Sequence, residues 1–169
     1  MIQLRRTILP LVSLAAAACA SAGTSGGSSG RTARWNATLK QPTMSSSAVI
    51  SAGVAQAQAA SYGSLVLTPL PAGERTRVEL SVTAPQKVGA QLAWAVFPGP
   101  CSAATPPVIA ATEFPLVDVT NSGTGIVRNE MAFALDPRAT YHVNIYGASR
   151  ATDVSNVVMC GTLNYSGPR

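Results

Sequence analysis

Charge is scarce in this chain. Asp, Glu, Lys and Arg make up 11% of its 169 residues, and aromatic residues only 5%. Histidine is scarcer still, with one in the whole sequence, which excludes most His-built metal sites and argues against a His-dependent active site. No apolar run reaches the roughly 18 residues of a bilayer-spanning helix, so a multi-pass helical membrane protein is excluded. Clustered basic charge is also lacking. The 12 Lys and Arg are spread along the chain against 7 Asp and Glu, a net charge of +5, and nucleic-acid binding therefore has no electrostatic footprint. What the chain does have is apolar residues, 47% of the total. Low charge with high apolar content is the opposite of a disordered composition, and the length suits one domain of ordinary size.

The N-terminus reads as an export signal. Arg5 and Arg6 precede the apolar stretch from Ile8 to Ala18, and the small residues Ala16, Ala17 and Ala18 lead into Cys19. A basic start, an apolar centre and small residues before a cleavage point make a secretory signal. The Cys directly after them resembles a bacterial lipoprotein signal, in which Cys19 would be diacylated and become the new N-terminus. The departure is Ala16, where such signals usually carry Leu; Leu14 lies two residues too early. Two alternatives stay open: ordinary cleavage near Ala20 or Ala22, and retention of the segment as an anchor. As a helix, residues 8–22 would be about 22 Å long, short for a hydrocarbon core of roughly 30 Å. Residues 1–18 are thus read as signal, 19–34 as a tether rich in Ser and Gly, and 35–169 as the folded domain. The tether reaches roughly 20 Å, which predicts a domain held near a membrane on its outer, periplasmic or extracytoplasmic side. Losing Arg5 and Arg6 leaves ten basic residues against seven acidic, a mild +3.

From Trp35 onward the apolar pattern has the period of two expected of half-buried strands. Arg75 to Thr83 alternates most cleanly, with Val78, Leu80 and Val82 on one side and Arg77, Glu79 and Ser81 on the other. Similar stretches are Trp35–Leu39, Tyr62–Leu70, Gln91–Phe97, Phe114–Val119, Ile126–Leu135, Thr140–Gly147 and Asn156–Asn164. Turn residues separate them, including Pro71-Ala72-Gly73, Pro98-Gly99-Pro100 and Asp136-Pro137. The expectation is an all-β domain, an eight-stranded Greek-key barrel or sandwich. Ser45 to Ser61 fits either a helix or a strand with a loop. If Cys19 carries lipid, Cys101 and Cys160 remain as an even pair in an exported protein, which predicts a disulfide; a thiol metal site would need the CxxC spacing that this chain lacks.

Trp94-Ala95-Val96-Phe97-Pro98-Gly99-Pro100-Cys101 resembles the strand and loop of copper/zinc superoxide dismutase-like and chordin-domain-like proteins, where the pattern runs roughly Trp-His-Val-His, then Gly, then Cys. Cys160-Gly161 in Val157–Leu163 resembles their closing strand, Gly123-Thr124-Gly125 the Gly-rich turn, and Thr140 to Tyr146 the strand of the last copper ligand. The resemblance runs from about Trp35 to Tyr165 and implies an eight-stranded Greek-key β-barrel with Cys101 bonded to Cys160.

The departures bear on function. The resemblance implies copper-binding His at the positions of Ala95 and Phe97 and a last ligand at or near Tyr146; the zinc loop between Cys101 and Asn121 has no His. Copper cycling needs several imidazoles, so dismutase chemistry, bound metal and cofactors are not expected. His142 has no acidic neighbour and reads as a surface or rim residue. Gly-x-Ser-x-Gly is absent, and Gly123-Thr124-Gly125 reads as a turn. The expected function is a non-catalytic, membrane-tethered binding or accessory module, for instance a peripheral subunit of a respiratory or photosynthetic complex. The alternatives are a divergent metal or redox protein using Met44, Met131, Met159 or His142, and a structural envelope lipoprotein. Alternation turns Trp94, Val96, Val143 and Ile145 inward and Ala95, Phe97, His142, Asn144 and Tyr146 outward. This outward face is a candidate interface with a protein partner, unless the Cys101–Asn121 segment folds over it and makes it core.

Overall fold

The structure is a computed structural model that describes residues 32–42, 60–71, 73–149 and 156–168. The signal, Cys19, most of the tether and nearly all of the Ser45–Ser61 stretch lie outside the described residues. Half of the described residues are in strands and none is in an α-helix, so the domain is all-β.

The described residues form nine strands: β1 (Arg34–Lys40), β2 (Tyr62–Pro69), β3 (Thr76–Thr83), β4 (Gln91–Leu92), β5 (Trp94–Pro98), β6 (Val117–Asp118), β7 (Thr124–Met131), β8 (Tyr141–Tyr146) and β9 (Val157–Ser166). Seven of them make one sheet in the order β5-β8-β9-β1-β2-β3-β7, antiparallel at every pairing, and β4 pairs separately with β6. The sheet curls into a half-barrel, following the right-handed twist of strands. The small pair reaches from one sheet edge to the other. On one side, Ala93 joins β4 to β5; its N–H donates to Ala148 O and its carbonyl accepts from Tyr146 N. On the other side, β6 lies against β7, where a side chain on Gly125 would collide with Val117 and lie 3.0 Å from the carbonyl of Asp118.

Register explains the core. Trp35, Leu67 and Val78 stand in one cross-strand row, and Ala37, Leu65, Leu80 and Val127 in the next. All of them are buried. The third row, Leu39-Gly63-Val82-Gly125, replaces two side chains by glycine, and Leu39 and Val82 fill the space those glycines leave. Burying a Leu or Val is worth about 1.5–3 kcal/mol, so these rows set the inward face of each strand. A one-residue slip would turn Val78, Leu80 and Val82 out to water.

Three expectations on strands need correction. Gln91–Phe97 is two strands, because residues 91–92 pair with β6 and residues 94–98 with β8. Phe114–Val119 contributes only Val117–Asp118; residues 111–113 form a 3₁₀ turn and Phe114 packs edge-on against Trp94 at 4.8 Å. Ile126–Leu135 begins at Thr124 and ends at Met131, where the chain bends through a bond from Phe133 N to Met131 O. Phe133 and Leu135 remain buried after the bend, which is why they continue the apolar pattern beyond the strand. Gly123 at φ +77° is the turn residue expected of Gly123-Thr124-Gly125, a backbone shape that glycine adopts without steric cost.

Candidate functional site

β5 and β8 lie side by side with Trp94 opposite Ile145, Ala95 opposite Asn144, Val96 opposite Val143 and Phe97 opposite His142. Alternation therefore places Ala95, Phe97, His142 and Asn144 together on the outer side of the sheet. Cys160 on β9 stands opposite Asn144 and joins the same side. A bulge between Ile145 and Tyr146 shifts the register before Tyr146.

This side is covered. Phe97 is 7% exposed, Tyr146 3%, Asn144 5% and His142 0%. The segment that follows β5 is tied to this side at several points. Cys101 is bonded to Cys160, so the disulfide straps this segment to β9. Gly99 N donates to Thr140 O, the Thr105 hydroxyl to Pro98 O, and Val108 N to Val96 O at 2.9 Å. Farther along, the chain passes to the inner face, where the Trp94 indole N–H donates to Pro115 O at 2.7 Å. Of the two readings open for this face, burial favours the second: Phe97 and Tyr146 are packed in the core and do not stand out toward a partner. His142 is likewise a fully buried residue and not a surface or rim one.

Beneath the strap lies a small polar cluster in an apolar setting. The Phe97 ring stacks on the His142 ring with centroids 5.2 Å apart and planes 19° apart. His142 Nδ1 is 2.9 Å from Gly99 O. A carbonyl can only accept, so Nδ1 carries the proton and Nε2 keeps its lone pair. Asn144 Nδ2 faces Nε2 at a long 3.5 Å. Asn144 Oδ1 is buried without a hydrogen-bond partner among the described residues. Burial holds the His142 pKa below the usual imidazole value, and the Gly99 carbonyl opposes this. Burial pushes the Tyr146 phenol up, with the Asn144 side chain opposing. The imidazole and the phenol are therefore both neutral near pH 7.

His142 lends the domain a pH dependence. Above about pH 6.5 the ring is neutral in both folded and unfolded chains, and its environment contributes no slope. As pH falls below that value the unfolded chain takes a proton that the folded chain resists, so stability declines. The slope approaches at most about 1.4 kcal/mol per pH unit and ends once the folded ring is itself protonated. Urea titrations of the wild type and His142→Gln at pH 7.0, 6.0 and 5.0 read this directly. The wild type should lose more stability than the variant on acidification; parallel losses would show that His142 titrates as it does in water.

The cluster is poor at holding a metal. It offers one imidazole, one amide and one neutral phenol, and the facing positions 95 and 97 are methyl and phenyl. Among the described residues no group of three or more His, Cys, Asp or Glu side chains is placed to hold an ion. Met131 and Met159 are buried in the core as apolar filling, and Met44 lies outside the described residues. The sequence carried no signal for one member of this site, the Gly99 carbonyl. Gly99 sits at φ +86° between two prolines, and that turn aims its carbonyl at His142. No protein-family model matches the chain, and no curated protein matches it.

Proposed function

We propose that this chain is a non-catalytic module of the superoxide dismutase-like kind, held outside the cytoplasm on a membrane tether, where it binds or braces a larger membrane assembly. One observation carries the reading. The three positions where the resemblance implies copper ligands hold Ala95, Phe97 and Tyr146, and all three are buried, on a face that the Cys101–Cys160 bond ties to the loop after β5. Phe97 occupies with a ring the space beside His142. Two features of the fold support the barrel half of the proposal. β9 returns beside β1 of the β1-β2-β3 meander, as in a Greek key, and Cys160-Gly161 sits in that closing strand with its bond to the loop after β5. A disulfide suits an oxidising compartment, which agrees with an exported chain. With the β5–β8 outer face covered, the partner meets another part of the surface.

Metal loading tests the non-catalytic reading. The full chain is incubated with Cu(II) and Zn(II), desalted, and analysed for bound metal and for superoxide dismutation. Well under one metal per chain and no activity above free-ion background is expected. Stoichiometric copper with dismutase activity would overturn the proposal. Co-purification from detergent-solubilised membranes then identifies the partner; a chain recovered alone and free of lipid would remove the accessory role.

A further inference from the structure

The curled sheet has two edge strands, β5 and β7. An exposed edge offers unpaired N–H and C=O groups to any other strand, and proteins blunt such edges. β5 is met by its own strap, through the bond from Val108 N to Val96 O. β7 is hydrogen-bonded on its free side in its first half, where Thr120 N donates to Thr124 O and β6 lies against Gly125; beside its second half, Ile109 and Glu113 line a groove with Asn129, Glu130 and Met131. From Arg128 to Met131, no strand among the described residues pairs with β7 on the side away from β3.

Hydrogen-bond phase tells which groups that edge presents. Ala84 N donates to Gly123 O, just beyond the paired residues Thr83 and Thr124. In an antiparallel ladder the bonded pairs alternate with non-bonded ones. Gly125, Val127, Asn129 and Met131 therefore turn their backbone groups toward β3, and Arg128 and Glu130 turn theirs to the free side. The Glu130 groups are already taken. Its N–H donates to Asn129 Oδ1 at 2.8 Å, and its carbonyl lies 3.5 Å from Arg75 Nη2. Arg75 is held there by its ion pair with the Glu130 carboxylate at 3.7 Å, and Arg77 binds the same carboxylate at 3.0 Å.

Asn129 is the exception in its strand. Its side chain is at an inward position, between the buried Val127 and Met131, yet it is polar and exposed. Edges are defended by inward-pointing charged residues, and Asn129 puts a neutral polar group at the corresponding position. The edge also has one register that suits a second copy. Antiparallel pairing about a twofold at residue 129 would set Arg128 opposite Glu130 of the other copy. Shifting the twofold to residue 128 or 130 would set like charges face to face, which disfavours pairing.

We propose that Asn129 and Arg75 close the free end of β7 against strand addition by a second copy of this chain, and that without them two copies pair through β7 about residue 129. Asn129 occupies the amide that the incoming strand needs, and Arg75 occupies the carbonyl. The interface so prevented is a two-strand extension in which the Arg128 and Glu130 backbones exchange bonds.

Two measurements test this on the full chain. Amide exchange at Glu130 should be slow in the wild type and about tenfold or more faster in Asn129→Ala, the behaviour of an edge amide released from its only acceptor. Sedimentation from micromolar to submillimolar protein should give a lower apparent association constant for the wild type than for Asn129→Val/Arg75→Ser. Adding Arg128→Glu, which places Glu opposite Glu130, should reverse the gain. If Asn129→Val fails to fold, Asn129→Thr removes the same acceptor carbonyl with a β-favouring residue. A folded double variant that associates no more than the wild type overturns the proposal. Unchanged exchange at Glu130 in Asn129→Ala overturns it too, as does association that Arg128→Glu leaves intact.

Discussion

Trp94→Ala is expected to cost the domain about 3–5 kcal/mol, the range for truncating a buried Trp to Ala. Trp94 is 1% exposed and is the largest of the fully buried side chains. Its ring packs against Phe114, which in turn approaches Phe133 at 6.1 Å, and its indole N–H holds Pro115 O. The substitution removes the ring contacts, leaves a cavity and strips a carbonyl of its donor. Small domains have total stabilities of about 5–15 kcal/mol, so much of the margin is lost. Thermal melts should fall by roughly 10–20 °C, taking a few degrees per kcal/mol for a domain of this size. Trp94→Phe separates the two parts. It keeps most of the apolar volume and loses the hydrogen bond, and should cost about 1–2 kcal/mol, with the unsatisfied carbonyl as the main term. A loss under 1 kcal/mol for Trp94→Ala would show that the ring is not packed between the sheet and the 114–115 turn.

The second large effect is expected from the disulfide. Cys101 and Cys160 close a loop with a sequence separation of 59. In the chain-entropy account a loop of this length stabilises the fold by about 4 kcal/mol, and measured values of 2–4 kcal/mol are typical. Cys101→Ser/Cys160→Ser should therefore unfold at lower urea by a corresponding amount. The loss should also be local. The strap carries the Gly99 partner of His142 and the Val108 cover of the β5 edge, so amides of 99–110 and of β5 should exchange faster at urea concentrations that leave β1–β3 protected. Mass spectrometry of the unreduced wild type should show the two-dalton deficit of the bonded pair, absent from the double variant. Equal stability of the two proteins, or uniform exchange across both regions, would show that the bond does not hold the strap.

These two sites differ in how legible they were. The strands were visible because a β-strand writes its burial into the sequence with a period of two, and one sheet face must be apolar. Val78, Leu80 and Val82 needed no tertiary information to be placed inward, and the pairing of Cys101 with Cys160 followed once Cys19 was set aside as the residue of the N-terminal signal. Even the joint orientation of Ala95 with Phe97, and of His142 with Asn144, followed from alternation alone.

What alternation cannot express is what lies against the other face. Every residue of β8 is buried, so its two sides are both core, and the period of two marks a side without naming its neighbour. The 99–116 strap has no periodicity of its own. Its position comes from bonds spanning long stretches of chain: Gly99 to His142, Val108 to Val96, Trp94 to Pro115, Cys101 to Cys160. His142, expected at the rim, is buried and neutral, and for Phe97 and Tyr146 the choice between anchor and core, which alternation left open, falls to core. Asn129 is the same lesson at an edge. In the sequence it is only a polar residue interrupting an apolar alternation, and the interruption gains meaning once β7 is the last strand of the sheet, with the Glu130 amide turned away from β3. The sequence by itself determined where strands form and which side of each is apolar, because those are local consequences of side-chain size and polarity. Tertiary structure decided which strands are edges and which faces are covered, because both depend on groups that meet only when distant parts of the chain are brought together.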